Sequence, residues 1–160
     1  MIMFNAREII DIAIVIEQNA ERRYRSASRH ARNSALKDLL DWVANEELIH
    51  VDRFQEIGKQ IQQPGGESLA SDAGITDEFV DIISGNASFS LEDIDFSKVK
   101  TISDLLTIFI EFEKDTVLFY EMLSAFVIDE EASRKIRVII EEEEKHIEKF
   151  RIFSGQPVKP

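Results

Sequence analysis

An internal repeat constrains this chain more than any other feature of its sequence. Adding 96 to the residue number carries Glu17 onto Glu113, Glu47 onto Glu143 and His50 onto His146. The same offset relates Tyr24 to Tyr120 and Phe54 to Phe150. Each half is therefore a lone glutamate followed 30 residues later by Glu-x-x-His. Residues three apart on a helix share a face, so Glu47 projects with His50 and Glu143 with His146. The lone glutamates fall on the preceding helix of each half. A fold that satisfies both halves brings four helices together and turns four carboxylates and two imidazoles toward one place.

The apolar periodicity supplies those helices. Asn5-x-x-Glu8 reads as a capping box, and Ile10, Ala13, Ala20 and Tyr24 follow at three- and four-residue steps, which predicts a helix to about Ser28 with Glu17 on its stripe. After a short polar stretch, Leu36, Leu39, Leu40, Val43, Val51, Phe54 and Ile57 predict a second amphipathic helix to about Gln62, with Glu47 and His50 at core-facing steps. Gln63-Pro64-Gly65-Gly66 ends it. A stretch rich in Ser, Gly, Asn and Asp follows, with a candidate short helix at 76–84. Thr101-x-x-Asp104 opens a third helix through Leu105, Leu106, Phe109, Phe112, Val117 and Tyr120 to near Ile128. The fourth starts around Asp129, carries Ile136, Ile139, Ile140, Ile147 and Phe150, and stops at Gly155-Gln156-Pro157. The expected architecture is all-α: one domain over 1–160, with a helix hairpin at about 5–62, a crossover at about 63–100 and a second hairpin at about 101–154. Ile14, Phe112 and Phe119 lie off the ligand seams and either line a dimer interface or complete the core.

Composition narrows the function. With 160 residues, 44% of them hydrophobic, the chain can bury one core. A net charge of −12 argues against nucleic acid and against an anionic membrane surface as partners. The first fifteen residues are interrupted by Arg7, Glu8 and Asp11, unlike a signal peptide or a membrane span, so a cytoplasmic protein is expected. The absence of cysteine rules out disulfides, thiolate zinc, thiol nucleophiles and cysteine-ligated iron. Any metal must be held by nitrogen and oxygen.

Ionised carboxylates on the seam of a bundle cost several kcal/mol each in desolvation, and four together repel one another. A dinuclear metal centre relieves both penalties. Lone glutamates from two helices plus a Glu-x-x-His from each of the other two is the ligand pattern of di-iron and di-manganese carboxylate bundles. Such ligands suit two iron ions, or manganese or a mixed pair, and imidazole also suits zinc. Glu17 and Glu113 are read as terminal ligands, Glu47 and Glu143 as bridges, and His50 and His146 as one imidazole for each metal. Which histidine goes with which terminal glutamate is left open by the sequence. Taken singly, each element has an ordinary explanation. One Glu-x-x-His on an acidic helix is usually a solvated pair, and the run Glu141 to Glu144 reads as exposed apart from Glu143. Tyr24 and Tyr120 read as core aromatics whose hydroxyls, seven residues beyond the lone glutamates, are placed to bond them as a second layer. Glu21, one turn beyond Glu17, is a candidate supplementary ligand. His30 has no counterpart in the repeat and is expected at the surface.

These motifs resemble the rubrerythrin-type members of the ferritin-like superfamily. The matching stretches are Ile16-Glu17 running to Tyr24, Glu46-Glu47-Leu48-Ile49-His50 with Phe54, Glu113 running to Phe119-Tyr120, and Glu143-Glu144-Lys145-His146 with Phe150. The resemblance covers nearly the whole chain and implies a ferritin-like four-helix bundle. It also implies a non-haem di-iron site at the six ligands that reacts with peroxide or dioxygen. Two features depart from the family pattern. No rubredoxin-like domain can be built without cysteine, so the resemblance implies an external electron donor, such as a rubredoxin-like protein. The additional glutamate that the family carries near the third-helix ligand is replaced: one turn either side of Glu113 lie Phe109 or Ile110 and Thr116 or Val117, and Glu111 is about 200° round the helix from it. A homodimer is also implied by the resemblance. The leading expectation is a di-iron oxidoreductase. A ferroxidase or iron storage and delivery protein, a dimanganese catalase and, last, a metal-free structural bundle are the alternatives.

Overall fold

The computed structural model describes residues 6–61, 94–125, 127 and 130–155. Asn5, the stop at 63–66, the candidate helix at 76–84, and Ile128, Asp129, Gln156 and Pro157 lie outside that set. Among the described residues the chain forms four long helices: α1 (Ala6–His30), α2 (Ser34–Gln60), α3 (Ile102–Ser124) and α4 (Glu130–Ser154), with one 3-10 turn at Phe96–Lys98. None of them is long and apolar enough to cross a membrane.

Each helix starts and stops for local reasons. The Asn33 side chain accepts from the amides of Ala35 and Leu36 and caps α2. The Thr101 hydroxyl accepts from the Asp104 amide at 3.1 Å and caps α3, as its sequence pattern predicts. Helix α1 runs to His30, two residues past the expected end, and the exposed His30 ring bonds back to the Ser26 carbonyl. Gly155, at φ 72°, takes the left-handed conformation that closes α4.

The isoleucines of α1 are mediocre helix formers, so packing rather than propensity holds that helix. Ile9, Ile10, Ile12 and Ala13 are fully buried. Helix α1 packs along α2 and α3 along α4, and the two hairpins meet through α1 with α4 and α2 with α3. Gly58 allows a close approach in the first hairpin: Arg7 donates to its carbonyl at 3.0 Å, and a Cβ there would meet Arg7 Nη1 at 3.1 Å. Phe112 and Phe119 are buried in the common core and Ile14 packs half-buried against it, so all three complete the bundle.

Aromatic side chains fill the core beside the ligand seams. Phe109 lies 4.9 Å from Tyr24 and 5.2 Å from Phe150, centroid to centroid, and Trp42 meets Phe150 edge-on at 6.1 Å. Each fully buried phenylalanine contributes about 1.5–3 kcal/mol of apolar burial. Phe54 and Phe150, one turn beyond the two histidines, also pack against them at 5.7 and 5.8 Å. The repeated phenylalanines thus fix the imidazoles from below.

Candidate metal centre

All six repeat residues converge inside the bundle. Glu47 and Glu143 are 0% exposed, Glu17 and Glu113 1%, His146 2% and His50 5%. The fold also decides the pairing that the sequence leaves open. His50 Nδ1 lies 3.8 Å from Glu17 and 3.5 Å from Glu143. His146 Nδ1 lies 3.1 Å from Glu113 and 3.8 Å from Glu47. Each histidine therefore joins the lone glutamate of its own half and the motif glutamate of the other. The two rings stack, centroids 4.1 Å apart.

The donor atoms cluster as a metal site requires. Ligand atoms of Glu17, His50 and Glu143 lie within 4.8 Å of one another, as do those of Glu113, Glu143 and His146, and those of Glu47, His50 and His146. Glu143 belongs to two of these groups, and Glu47 faces both histidines, which is the placement a bridging carboxylate needs. Both oxygens of Glu17, Glu47 and Glu143, Oε2 of Glu113 and Nδ1 of His50 are buried without a hydrogen-bond partner among the described residues. Buried polar atoms are rarely left so, and a cation is what such oxygens lack. The residues fit a dinuclear metal ion pair.

Protonation of the cluster carries the same message. Burial, followed by repulsion from Glu143, raises Glu17 well above the usual carboxylate range. Burial raises Glu47 and Glu113 likewise, aided by the charge of Glu17 on the former and of Glu47 on the latter. Burial also opposes ionisation of Glu143, but its contacts with Glu113, His50 and Glu17 outweigh that and hold it at about 2. His50 is disfavoured as a cation by burial, yet Glu143 prevails and raises it. Burial and the charge of His50 lower His146 to about 4. Without metal, these shifts favour the protonated form of Glu17, Glu47 and Glu113 and the ion pair of His50 with Glu143.

Several expected neighbours sit differently. The hydroxyls of Tyr24 and Tyr120 are buried but bond nothing among the described residues, so the expected bonds to the lone glutamates are not formed. Burial and the surrounding carboxylates raise both phenols well above their usual range. Glu21 is turned aside by Arg25, which donates to it at 3.0 Å, and takes no part in the cluster. Thr116, one turn beyond Glu113, is buried and bonds back to the Phe112 carbonyl, while Glu111 is exposed and paired with Lys114. Glu142 corrects the reading of its run as exposed: it is 8% exposed and held by Arg53 at 2.6 Å and Lys145 at 2.9 Å. Glu46, whose role the sequence reading missed, pairs with Lys149 at 3.0 Å and faces His146 Nε2 at 3.5 Å. The repeat itself could have found them, because adding 96 carries Glu46 onto Glu142 and Arg53 onto Lys149.

Fold and site together define a ferritin-like four-helix bundle with a buried carboxylate-and-histidine cluster suited to two metal ions. The family model for rubrerythrin matches residues 8–153, and the chain belongs to that family. Solved structures share its fold, three of them as follows. A hypothetical protein from Pyrococcus furiosus is 24% identical, over 95% of this chain and 89% of its own, with a TM-score of 0.54. A putative ferritin-like diiron-carboxylate protein from Thermotoga maritima is 22% identical, over 97% of both chains, at 0.53. A manganese catalase from Anabaena PCC7120 is 18% identical, over all of this chain (100%) and 81% of its own, also at 0.53. No curated protein sequence matches the chain significantly.

Proposed function

We propose that this chain is a di-iron oxidoreductase that reduces hydrogen peroxide, or dioxygen, to water with electrons from an external donor. The observation that carries the reading is the convergence of four buried carboxylates and two imidazoles, with seven of the eight carboxylate oxygens lacking a hydrogen-bond partner among the described residues. Glu17 with His50 would hold one iron and Glu113 with His146 the other, with Glu47 and Glu143 between them. Two ferrous ions held there would supply the two electrons that, with two protons, convert one peroxide into two waters. Six protein ligands for two metals leave coordination positions free for an oxidant, which favours catalysis over a purely structural role. The apolar walls of Phe54, Phe109 and Phe150 keep bulk water from the ligands. The electron donor is proposed to be a rubredoxin-like protein, and the working unit a homodimer.

Anaerobic ferrous-loaded protein titrated with peroxide tests the reading. One equivalent of peroxide should oxidise both irons of a chain, with no oxygen released. Oxygen evolution from manganese-loaded protein without a reductant would instead assign a catalase, and ferrous iron oxidised and retained far beyond two equivalents would assign a storage protein. No reaction with any of these would end the oxidoreductase reading.

A further inference from the structure

Around the six central residues the repeat continues, and there its two halves differ. Lys149 of α4 donates to Glu46 Oε2 on α2 at 3.0 Å, and Arg53 of α2 donates to Glu142 Oε2 on α4 at 2.6 Å. In the first pair, Glu46 Oε2 also faces His146 Nε2 at 3.5 Å, and that nitrogen is buried without a hydrogen-bond partner among the described residues. In the second, both oxygens of Glu142 are engaged, Oε2 by Arg53 and Oε1 by Lys145 at 2.9 Å. The sequence gives the reason: the counterpart of Lys145, 96 residues earlier, is Ile49, so Glu46 lacks the cation that Glu142 finds one turn along its own helix.

We propose that this difference makes the two metal positions unequal, so that a divalent cation fills the Glu113–His146 position first and more tightly, and the Glu17–His50 position second. The inference rests on the dinuclear reading above. A carboxylate on the outer nitrogen of a ligating imidazole fixes the tautomer that leaves the inner nitrogen free for metal and makes it a stronger donor. Glu46 Oε2 already lies 3.5 Å from the outer ring nitrogen, and Lys149 holds it there. Glu142 would first have to surrender a charge-assisted bond to Arg53 or Lys145. The lone glutamates repeat the bias, since Glu113 lies 3.1 Å from its histidine and Glu17 3.8 Å from its own.

The test is a zinc titration of metal-free protein, followed by calorimetry and by the imidazole nitrogen resonances. The expected result is two resolved steps, the first moving the His146 signals and the second those of His50. Glu46→Ala and Glu142→Ala form a charge-matched pair, each removing one negative charge from the outer layer. Bracing by Glu46 requires that Glu46→Ala weaken the first step by about 10- to 100-fold while Glu142→Ala leaves both steps near wild type. Should either variant fail to fold, Lys145→Ile decides instead: it frees Glu142 to brace His50 and should tighten the second step. Two equal steps in the wild type, equal losses in the alanine pair, or no change in Lys145→Ile would overturn the inference and leave the dinuclear reading standing. Fewer than two zinc ions bound would overturn both.

Discussion

Stripped of metal, this protein should lose stability as the pH rises from about 4.5 to 6.5, a window in which proteins more often gain it. In the fold, Glu17, Glu47 and Glu113 keep protons above the range where an unfolded chain releases them, and His50 keeps its own. Glu143, at about 2, and His146, at about 4, hold none in that window. Around the middle of that window an unfolded chain has released its carboxyl protons and still holds those of its histidines, so folding takes up protons at Glu17, Glu47 and Glu113 and gives up that of His146. Groups raised in the fold stabilise it fully below their unfolded values and cease to do so as the pH climbs through their folded ones. The lowered groups, Glu143 and His146, work in the opposite sense and are already included in the count. A net uptake of two protons on folding corresponds to a loss of roughly 3 kcal/mol per pH unit. That is a large part of the ~5–15 kcal/mol available to a domain of this kind. Urea unfolding of chelator-treated protein, followed by circular dichroism across the window, measures the slope. Metal-loaded protein should show the opposite sign, because metal binding requires deprotonated ligands. A metal-free stability that is flat or rises with pH would refute the protonation pattern described for the cluster.

Other outcomes follow from the same geometry. Glu47→Leu should raise the stability of the metal-free protein at neutral pH by about 1–3 kcal/mol and reduce metal uptake below two equivalents, both measurable on one preparation. Tyr24→Phe removes a buried hydroxyl with no bonding partner among the described residues, so metal-free protein should gain about 1 kcal/mol; a loss of that size in thermal unfolding would mean the hydroxyl is bonded. Asn33→Ala strips the cap from α2 and should cost about 1 kcal/mol without altering metal stoichiometry, which separates hairpin stability from ligand geometry.

The helices and the inward set of the six ligands were legible because two independent periodicities coincide. The apolar steps place Glu17, Glu47, Glu113 and Glu143 on buried faces, and the 96-residue offset says that these faces do the same job. What escaped the sequence depends on how helices face one another. Glu142 is next to Glu143 and about 100° round the helix, so phase within α4 alone hides it in a charge run. Only the approach of Arg53 from α2 explains its burial. The pairing of His50 with Glu17 and Glu143 likewise needs the order of helices around the bundle. Glu21 was misread for the converse reason: its phase is right, but Arg25, one turn further along, competes for its carboxylate. Local competition of this kind is invisible to a stripe of apolar residues.

The central claim is that the six buried residues exist to hold two metal ions. Elemental analysis of protein produced in iron-supplemented medium, beside the Glu47→Ala/Glu143→Ala variant, tests it most directly. About two iron atoms per chain are expected in the wild type, with loss of both in the variant. A wild-type protein that takes up no metal under any loading condition would contradict it.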